Sequence, residues 1–379
     1  MYLFLTPFFP NQKSFRGSYL LDQSIEINKQ IDDDVLVIIL CSFFSKNKSY
    51  EINGIKCEVF RLIDFPSFFF PGFFNFLNQI RFNQFPTNKK IMITSESVVH
   101  GHINYPSLHF LKNIKKKYNC KTILQHHALD VLQFKTGRIK LLKTIQNKWI
   151  KYRFLKDYLF VDLHLGVSQK VLDNLINIVP QIKQRSCILY NGVDTSKFYP
   201  LNNTLLTFKI GCVANFWPLK DQMTLIKSIE LINNKYSNYD IECVFVGEGP
   251  TLKICKEYVA KNNMLNVKFI DSINHDKLND FYNDLSLFVL PSFYEALGCV
   301  YLESWSTGTP FIAVKNQGIE ELICADNKEM QLITKGDYKE LSKKILHFYH
   351  IKKRVVFNQN YNIKNTIGKF LKQTIYLND

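Results

Sequence analysis

The chain has 379 residues, 46% of them hydrophobic and 21% charged, with a formal net charge of +15. That length argues for two domains, and the composition is that of a folded chain rather than a disordered or fibrous one. The charge is uneven: residues 1–200 hold 27 Lys and Arg against 14 Asp and Glu, residues 201–379 hold 21 against 19, and within 101–156 thirteen basic residues face the single acid Asp130.

The predicted elements alternate short apolar runs with longer amphipathic stretches, the pattern of a parallel α/β sheet with helices on both faces. Tyr2–Leu5, Val35–Leu40, Ile91–Thr94, Thr122–Gln125 and Leu163–Val167 read as buried strands, and an amphipathic helix over Gly17–Lys29 follows the first. The first ten residues are apolar, but Pro7 and Pro10 interrupt them and no basic leader is present, so they do not read as a signal peptide. Phe-rich Phe65–Ile80 carries Pro66 and Pro71 and is shorter than the roughly 20 apolar residues of a spanning helix. Ser168 is placed to cap a helix over Gln169–Ile178, with Pro180 beyond its end.

After the turn-rich segment 191–207 the alternation restarts. Strands are predicted over Phe208–Val213, Cys243–Val246, Val267–Ile270, Leu287–Leu290 and Phe311–Val314. Helices fall between them over Asp221–Asn234, Pro250–Asn262, Lys277–Asn283 and Gly298–Ser306. The expected organisation is two doubly wound domains, residues 1–190 and 205–355, with a C-terminal helix in 356–379 packing back toward the first. Open parallel sheets bind ligands beyond the carboxyl ends of their strands, so the chemistry is expected there.

The strongest motif runs from Leu290 through Pro-Ser-Phe-Tyr-Glu-Ala-Leu-Gly-Cys-Val-Tyr-Leu to Glu303. A strand ends, a short loop carries Glu295, and a helix starts at Gly298, whose first-turn amides and dipole suit a diphosphate. Glu295 and Glu303 flank that site, each able to accept hydrogen bonds from sugar hydroxyls. Lys220 sits between a strand and a helix, suited either to neutralising phosphate or to facing solvent. In the first half Gln125-His-His-Ala-Leu-Asp130 ends a strand, and Gly17 opens a helix. Gly247-Glu248-Gly249 follows a strand and reads as a tight turn.

With Val167-Ser168, Leu189-Tyr-Asn-Gly-Val-Asp194, Phe198-Tyr-Pro200, Gly211 to Asp221, Val246 to Pro250 and Gly308-Thr-Pro310, the segment around Glu295 resembles the family-4 retaining glycosyltransferases. Their GT-B fold sets two Rossmann-like domains facing across a cleft. The likeness is looser over 1–160, where Thr6-Pro-Phe-Phe-Pro10 and Gly17 look most like the capsule and exopolysaccharide transferases of bacteria.

The resemblance implies a nucleotide diphosphate sugar donor, UDP- or GDP-linked, and a glycan or lipid-linked oligosaccharide acceptor. It assigns His127, Lys220 and Glu295 to catalysis, and Gly17, Asn215, Gly247, Glu248, Leu297, Gly298, Cys299 and Glu303 to the donor. It favours His127 over His126, with Asp130 orienting the loop. It implies no metal, since Lys220 and helix amides would replace the cation. Asn215 stands where the family usually has Arg, which leaves open a clamp aided by Arg16 or a non-catalytic, nucleotide-sugar-binding scaffold.

The basic first half points to an anionic membrane surface or a phosphorylated acceptor, or is a solvated face. It carries no recognised nucleic-acid module, so no nucleic-acid partner is expected. Nine cysteines, odd in number and without a CxxC pair, fit reduced thiols in a cytoplasmic chain, peripheral on the inner membrane face if the basic surface docks there.

Overall fold

The computed structural model describes residues 1–11, 14–64, 70–127, 143–202, 205–235 and 238–374. Two compact units emerge, Met1–Asn191 with Thr366–Asp379, and Gly192–Asn365.

In the first unit the described strands are β1 (Tyr2–Thr6), β2 (Val35–Ser42), β3 (Tyr50–Ile52), β4 (Ile55–Leu62), β5 (Val98–His102), β6 (Lys121–His126), β7 (Leu163–Gly166) and β8 (Ser186–Ile188). They form one sheet in the order β3-β4-β2-β1-β5-β6-β7-β8. The pairings from β4 through β8 are parallel, and β3 returns antiparallel on β4 through a turn with Asn53 and Gly54 at positive φ. Its helices are α1 (Ser18–Gln30), α2 (Asn75–Asn88), α3 (Ser107–Tyr118), α4 (Lys143–Tyr158) and α5 (Gln169–Ile176). Ser168 caps α5, its hydroxyl accepting from the Val171 amide at 3.3 Å. Covered on both faces, β1 and β2 are buried almost throughout, hence their unbroken apolar runs.

One predicted strand is displaced. Residues 91–94 belong to no strand: Ile91 and Ile93 are buried, Met92 is 81% exposed, and a turn follows in which the Ser97 amide donates to Thr94 at 3.2 Å. The sheet takes Val98–His102 instead. Its His100 and His102 are fully buried, and the Tyr2 hydroxyl lies 2.9 Å from His100 Nδ1. A polar side chain with a partner can be buried as deeply as isoleucine, and a search for apolar runs passes over it.

The second unit holds β9 (Phe208–Val213), β10 (Ile241–Val246), β11 (Val267–Ile270), β12 (Leu287–Val289), β13 (Phe311–Val314) and β14 (Leu332–Ile333). Their order is β11-β10-β9-β12-β13-β14, parallel in every pairing. Helices α6 (Gln222–Lys235), α7 (Leu252–Lys261), α8 (Leu278–Asn283), α9 (Cys299–Ser306), α10 (Ala325–Gln331) and α11 (Tyr338–Ile351) cover it. The last helix, α12 (Ile363–Thr374), belongs to the first unit from Thr366 onward, where the Phe370 ring lies 6.3 Å from that of His100. Among the described residues no helix is long and apolar enough to cross a membrane. Among the described residues no disulfide is formed.

Candidate functional site

Where strand order reverses in an open parallel sheet, a crevice opens beyond the carboxyl ends of the strands. In the second sheet this point lies between β9 and β12, so the loops that follow those strands meet. The Phe293 amide donates to the Leu219 carbonyl at 2.7 Å, tying the two loops. Lys220 ends a short 3-10 turn, Pro218–Lys220, and its ammonium is ion-paired with the Glu295 carboxylate. Glu295 is only 9% exposed, and its amide donates to Gln317 Oε1 at 2.6 Å. Gln317 Nε2 in turn donates to the Phe293 carbonyl at 3.1 Å, so one side chain from the loop after β13 fixes both ends of the Glu295 loop.

Leu297 is buried just before α9, and Gly298 caps the helix at φ 81. A Cβ at Gly298 would come within 2.7 Å of the Tyr301 ring, whose hydroxyl is anchored on the Leu290 carbonyl at 2.7 Å. Glycine is therefore required by conformation and by space. Cys299 opens the helix, and the Tyr301 amide of its first turn donates to the Gly298 carbonyl at 3.0 Å. One turn on, Glu303 Oε2 accepts the Tyr282 hydroxyl at 2.9 Å. Burial, reinforced by that carboxylate, holds the Tyr282 phenol well above its ordinary range, so it stays a donor.

The loop after β10 completes the group. The Phe216 amide donates to the Glu248 carbonyl at 2.8 Å, and Thr251 donates back to Phe216 at 3.0 Å. Gly247, at φ 142, passes so close that a Cβ would lie 2.2 Å from the Ala214 carbonyl oxygen. Asn215 is exposed, and its carbonyl accepts from the Trp217 amide at 2.8 Å and Gln222 Nε2 at 3.2 Å.

In the first unit strand order reverses between β1 and β5. Gly17 caps α1 in the left-handed region, and the Arg16 guanidinium lies 5.2 Å from the Phe8 ring centroid. His127 follows β6 directly, its Nε2 3.4 Å from His102 Nδ1 and its ring 5.4 Å from that of Tyr19 on α1. Desolvation, and then neighbouring His126, push the His127 imidazole down to about 3. His126 is a core residue, hydrogen-bonded to His164 at 3.0 Å. Ala128 and Asp130 lie outside the described residues.

Within the second unit, then, Lys220, Glu295, Gly298, Cys299 and Glu303 gather at one end of the sheet, with Asn215, Gly247 and Glu248 on the adjoining loops. Gly17 and His127 sit at the corresponding end of the first sheet. Sequence reasoning missed Gln317 and Tyr282. Gln317 was accessible in principle, since it follows another strand at the same sheet end, whereas nothing near Tyr282 in the sequence signals a partner for Glu303. Among the described residues no group of three or more His, Cys, Asp or Glu is placed to hold a metal.

Two parallel α/β sheets, the second ending in this cation, carboxylates and helix terminus, define the GT-B class of glycosyltransferases. The chain belongs to this family: residues 29–197 match Glycosyltransferase Family 4 and residues 202–364 match Glycosyl transferases group 1. The uncharacterized glycosyltransferase MJ1178 of Methanocaldococcus jannaschii is 25% identical over 284 residues, 74% of this chain and 71% of that protein. Protein CapJ of Staphylococcus aureus is 30% identical over 165 residues, 42% of this chain and 38% of its own length. The match to the capsular polysaccharide biosynthesis glycosyltransferase CapM of the same organism, 27% identical, covers 41% of this chain and 42% of CapM. Among solved structures, sucrose-phosphate synthase from Thermosynechococcus elongatus shares the fold with a TM-score of 0.74 at 17% identity, over 99% of each chain. Anabaena Alr3699/HepE, in complex with UDP and glucose, gives 0.66 at 16% identity, again over 99% of each chain.

Proposed function

We propose that this chain is a retaining, metal-independent transferase that moves a sugar from a nucleotide diphosphate donor to a glycan or polyprenyl-diphosphate-linked saccharide in surface polysaccharide synthesis. The observation that carries the reading is the Lys220–Glu295 pair set ahead of the α9 amides, with Glu303 one turn beyond. Lys220 and the amides of Gly298 and Cys299 would hold the diphosphate and meet its growing charge, the kind of stabilisation that usually dominates such transfers. Glu295 would bind donor-sugar hydroxyls, Glu303 the ribose, and neutral His127 the sugar as well.

In the reaction the acceptor hydroxyl attacks the anomeric carbon from the face the nucleotide leaves. The new C–O bond forms as the bond to the diphosphate breaks, and a departing phosphate oxygen takes the acceptor proton. The retaining outcome rests on the family resemblance, and UDP is favoured because UDP is bound in HepE. The CapJ and CapM relatives favour a capsule-type product. The basic first half is assigned to an anionic inner membrane face, where a lipid-linked acceptor would reside.

A thermal-shift panel of UDP-, GDP- and ADP-sugars tests the donor, since a ligand that binds only the native state raises its stability by mass action. NMR of the product's anomeric centre tests the stereochemistry: an inverted linkage overturns the mechanism. Failure of every donor to raise stability or release nucleotide overturns the enzymatic reading.

A further inference from the structure

The first half of helix α2 is inverted relative to an ordinary surface helix. The buried residues of α2 include Asn75 and Asn78 beside Phe82 and Pro86. Asn78 accepts from the Ile63 amide at 2.8 Å and donates to the Ile63 carbonyl at 2.9 Å, which accounts for its burial. In that first half the apolar residues face outward instead, while Phe82 packs inward against Phe60 and Phe110: Phe76 is 73% exposed, Leu77 43% and Ile80 48%, with Phe73 at 58% just ahead of the helix. Spacing of three, four and seven residues from Phe73 aligns them as one stripe. A contiguous exposed apolar stripe signals an interaction surface more than scattered apolar residues do.

Helix α4 lies against the segment leading into α2. The Trp149 indole donates to the Pro71 carbonyl at 3.0 Å, and its ring centroid is 6.1 Å from that of Phe73. Arg153 donates to the Gly72 carbonyl at 3.4 Å. The outer face of α4 sets Ile145 and Tyr152, 55% and 70% exposed, among exposed Lys148, Lys151 and Lys156. Aromatic and aliphatic side chains interleaved with lysines are the make-up of a helix lying in a membrane interface. The charge complements anionic headgroups, and the neighbouring stripe needs an apolar phase. A bilayer supplies both within a depth of about 5–10 Å.

We propose that the α2 stripe and the α4 lysines form the surface by which this chain sits on an anionic bilayer, α2 entering the acyl boundary and α4 lying at the headgroups. The surface deepens the membrane assignment of the proposed function, and its biological purpose rests on that reading.

The test is co-sedimentation of the full chain with mixed phosphatidylglycerol–phosphatidylcholine vesicles and with pure phosphatidylcholine vesicles at low salt. Binding is expected to the anionic vesicles. Each lysine near such a surface contributes roughly fivefold in partitioning, so K148Q/K151Q/K156Q is expected to lose about a hundredfold. F76S/I80S is expected to lose binding even to anionic vesicles, with an unchanged circular dichroism spectrum and melting curve. Tryptophan quenching by brominated lipid should fall in W149F. Absence of vesicle binding, or binding that survives both multiple variants, overturns the proposal. A concentration-dependent dimer abolished by F76S/I80S also overturns it, by assigning the stripe to a second copy. Transfer to a water-soluble acceptor should persist in these variants and vanish in Glu295→Ala, so a failed surface and a failed enzymatic reading give different results.

Discussion

Tyr282 offers its hydroxyl to the Glu303 carboxylate at 2.9 Å from a position with no solvent exposure. The bond fixes which way the carboxylate turns. Tyr282→Phe keeps the packing and deletes one bond to a charged group, worth about 1.5–3 kcal/mol. The expected outcome is a donor KM raised roughly tenfold with a smaller change in kcat, read from initial rates against donor concentration. An unchanged KM would remove Glu303 from the donor site.

Lys220 and Glu295 neutralise each other in the structure, and a bound diphosphate would give the lysine a second anionic partner. If Lys220 meets charge on the departing phosphate, Lys220→Ala should lower kcat by roughly 100- to 1000-fold, the usual cost of removing one such stabilising group. Glu295→Gln keeps the size and loses the charge, so its effect should be larger on sugar-donor affinity than on affinity for the free nucleotide diphosphate. Calorimetric titration with both ligands separates the two.

Gly247 is a position where the backbone excludes any side chain. With φ at 142 and a Cβ 2.2 Å from the Ala214 oxygen, alanine there must push the β9 and β10 loops apart. Gly247→Ala should cost at least about 2 kcal/mol, or roughly 4–8 °C in Tm. Donor-induced thermal shift should shrink with it.

The first unit keeps His100, His102, His126, His127 and His164 well below the ordinary histidine range, desolvation being the largest cause for each. The unfolded chain takes up these protons near pH 6.5 while the folded chain does not, so stability is full above that pH and falls as pH drops toward the folded values. Each pH unit below the ordinary value costs about 1.4 kcal/mol for every histidine that stays neutral. Melting curves between pH 7.5 and 5 should show a steep decline in the first unit's transition. His100→Asn, which leaves an acceptor for Tyr2, should make that decline shallower.

Legibility in the sequence followed how local the cause was. Phe208–Val213, Val267–Ile270 and Phe311–Val314 are strands over the same residues that periodicity marks; Phe311–Val314, buried throughout, reads as a plain apolar run, whereas edge strand Val267–Ile270 has exposed Lys268 within it. The strand at Val98–His102 escaped, since its burial depends on Tyr2, distant in sequence, meeting His100. The helix start at Gly298 and its flanking glutamates lie within one segment and were visible. Gln317 acts through contacts with a loop more than twenty residues away, and spacing along the chain cannot convey them.

The loops after β9, β10, β12 and β13 are laced by main-chain and amide bonds: Phe216 to Glu248, Phe293 to Leu219, and Gln317 to both Phe293 and Glu295. Grafting a single loop from a relative would orphan several of these groups at once. Re-engineering sugar preference in this scaffold would therefore call for point changes on the existing lattice, or for transplanting all four segments as one cassette.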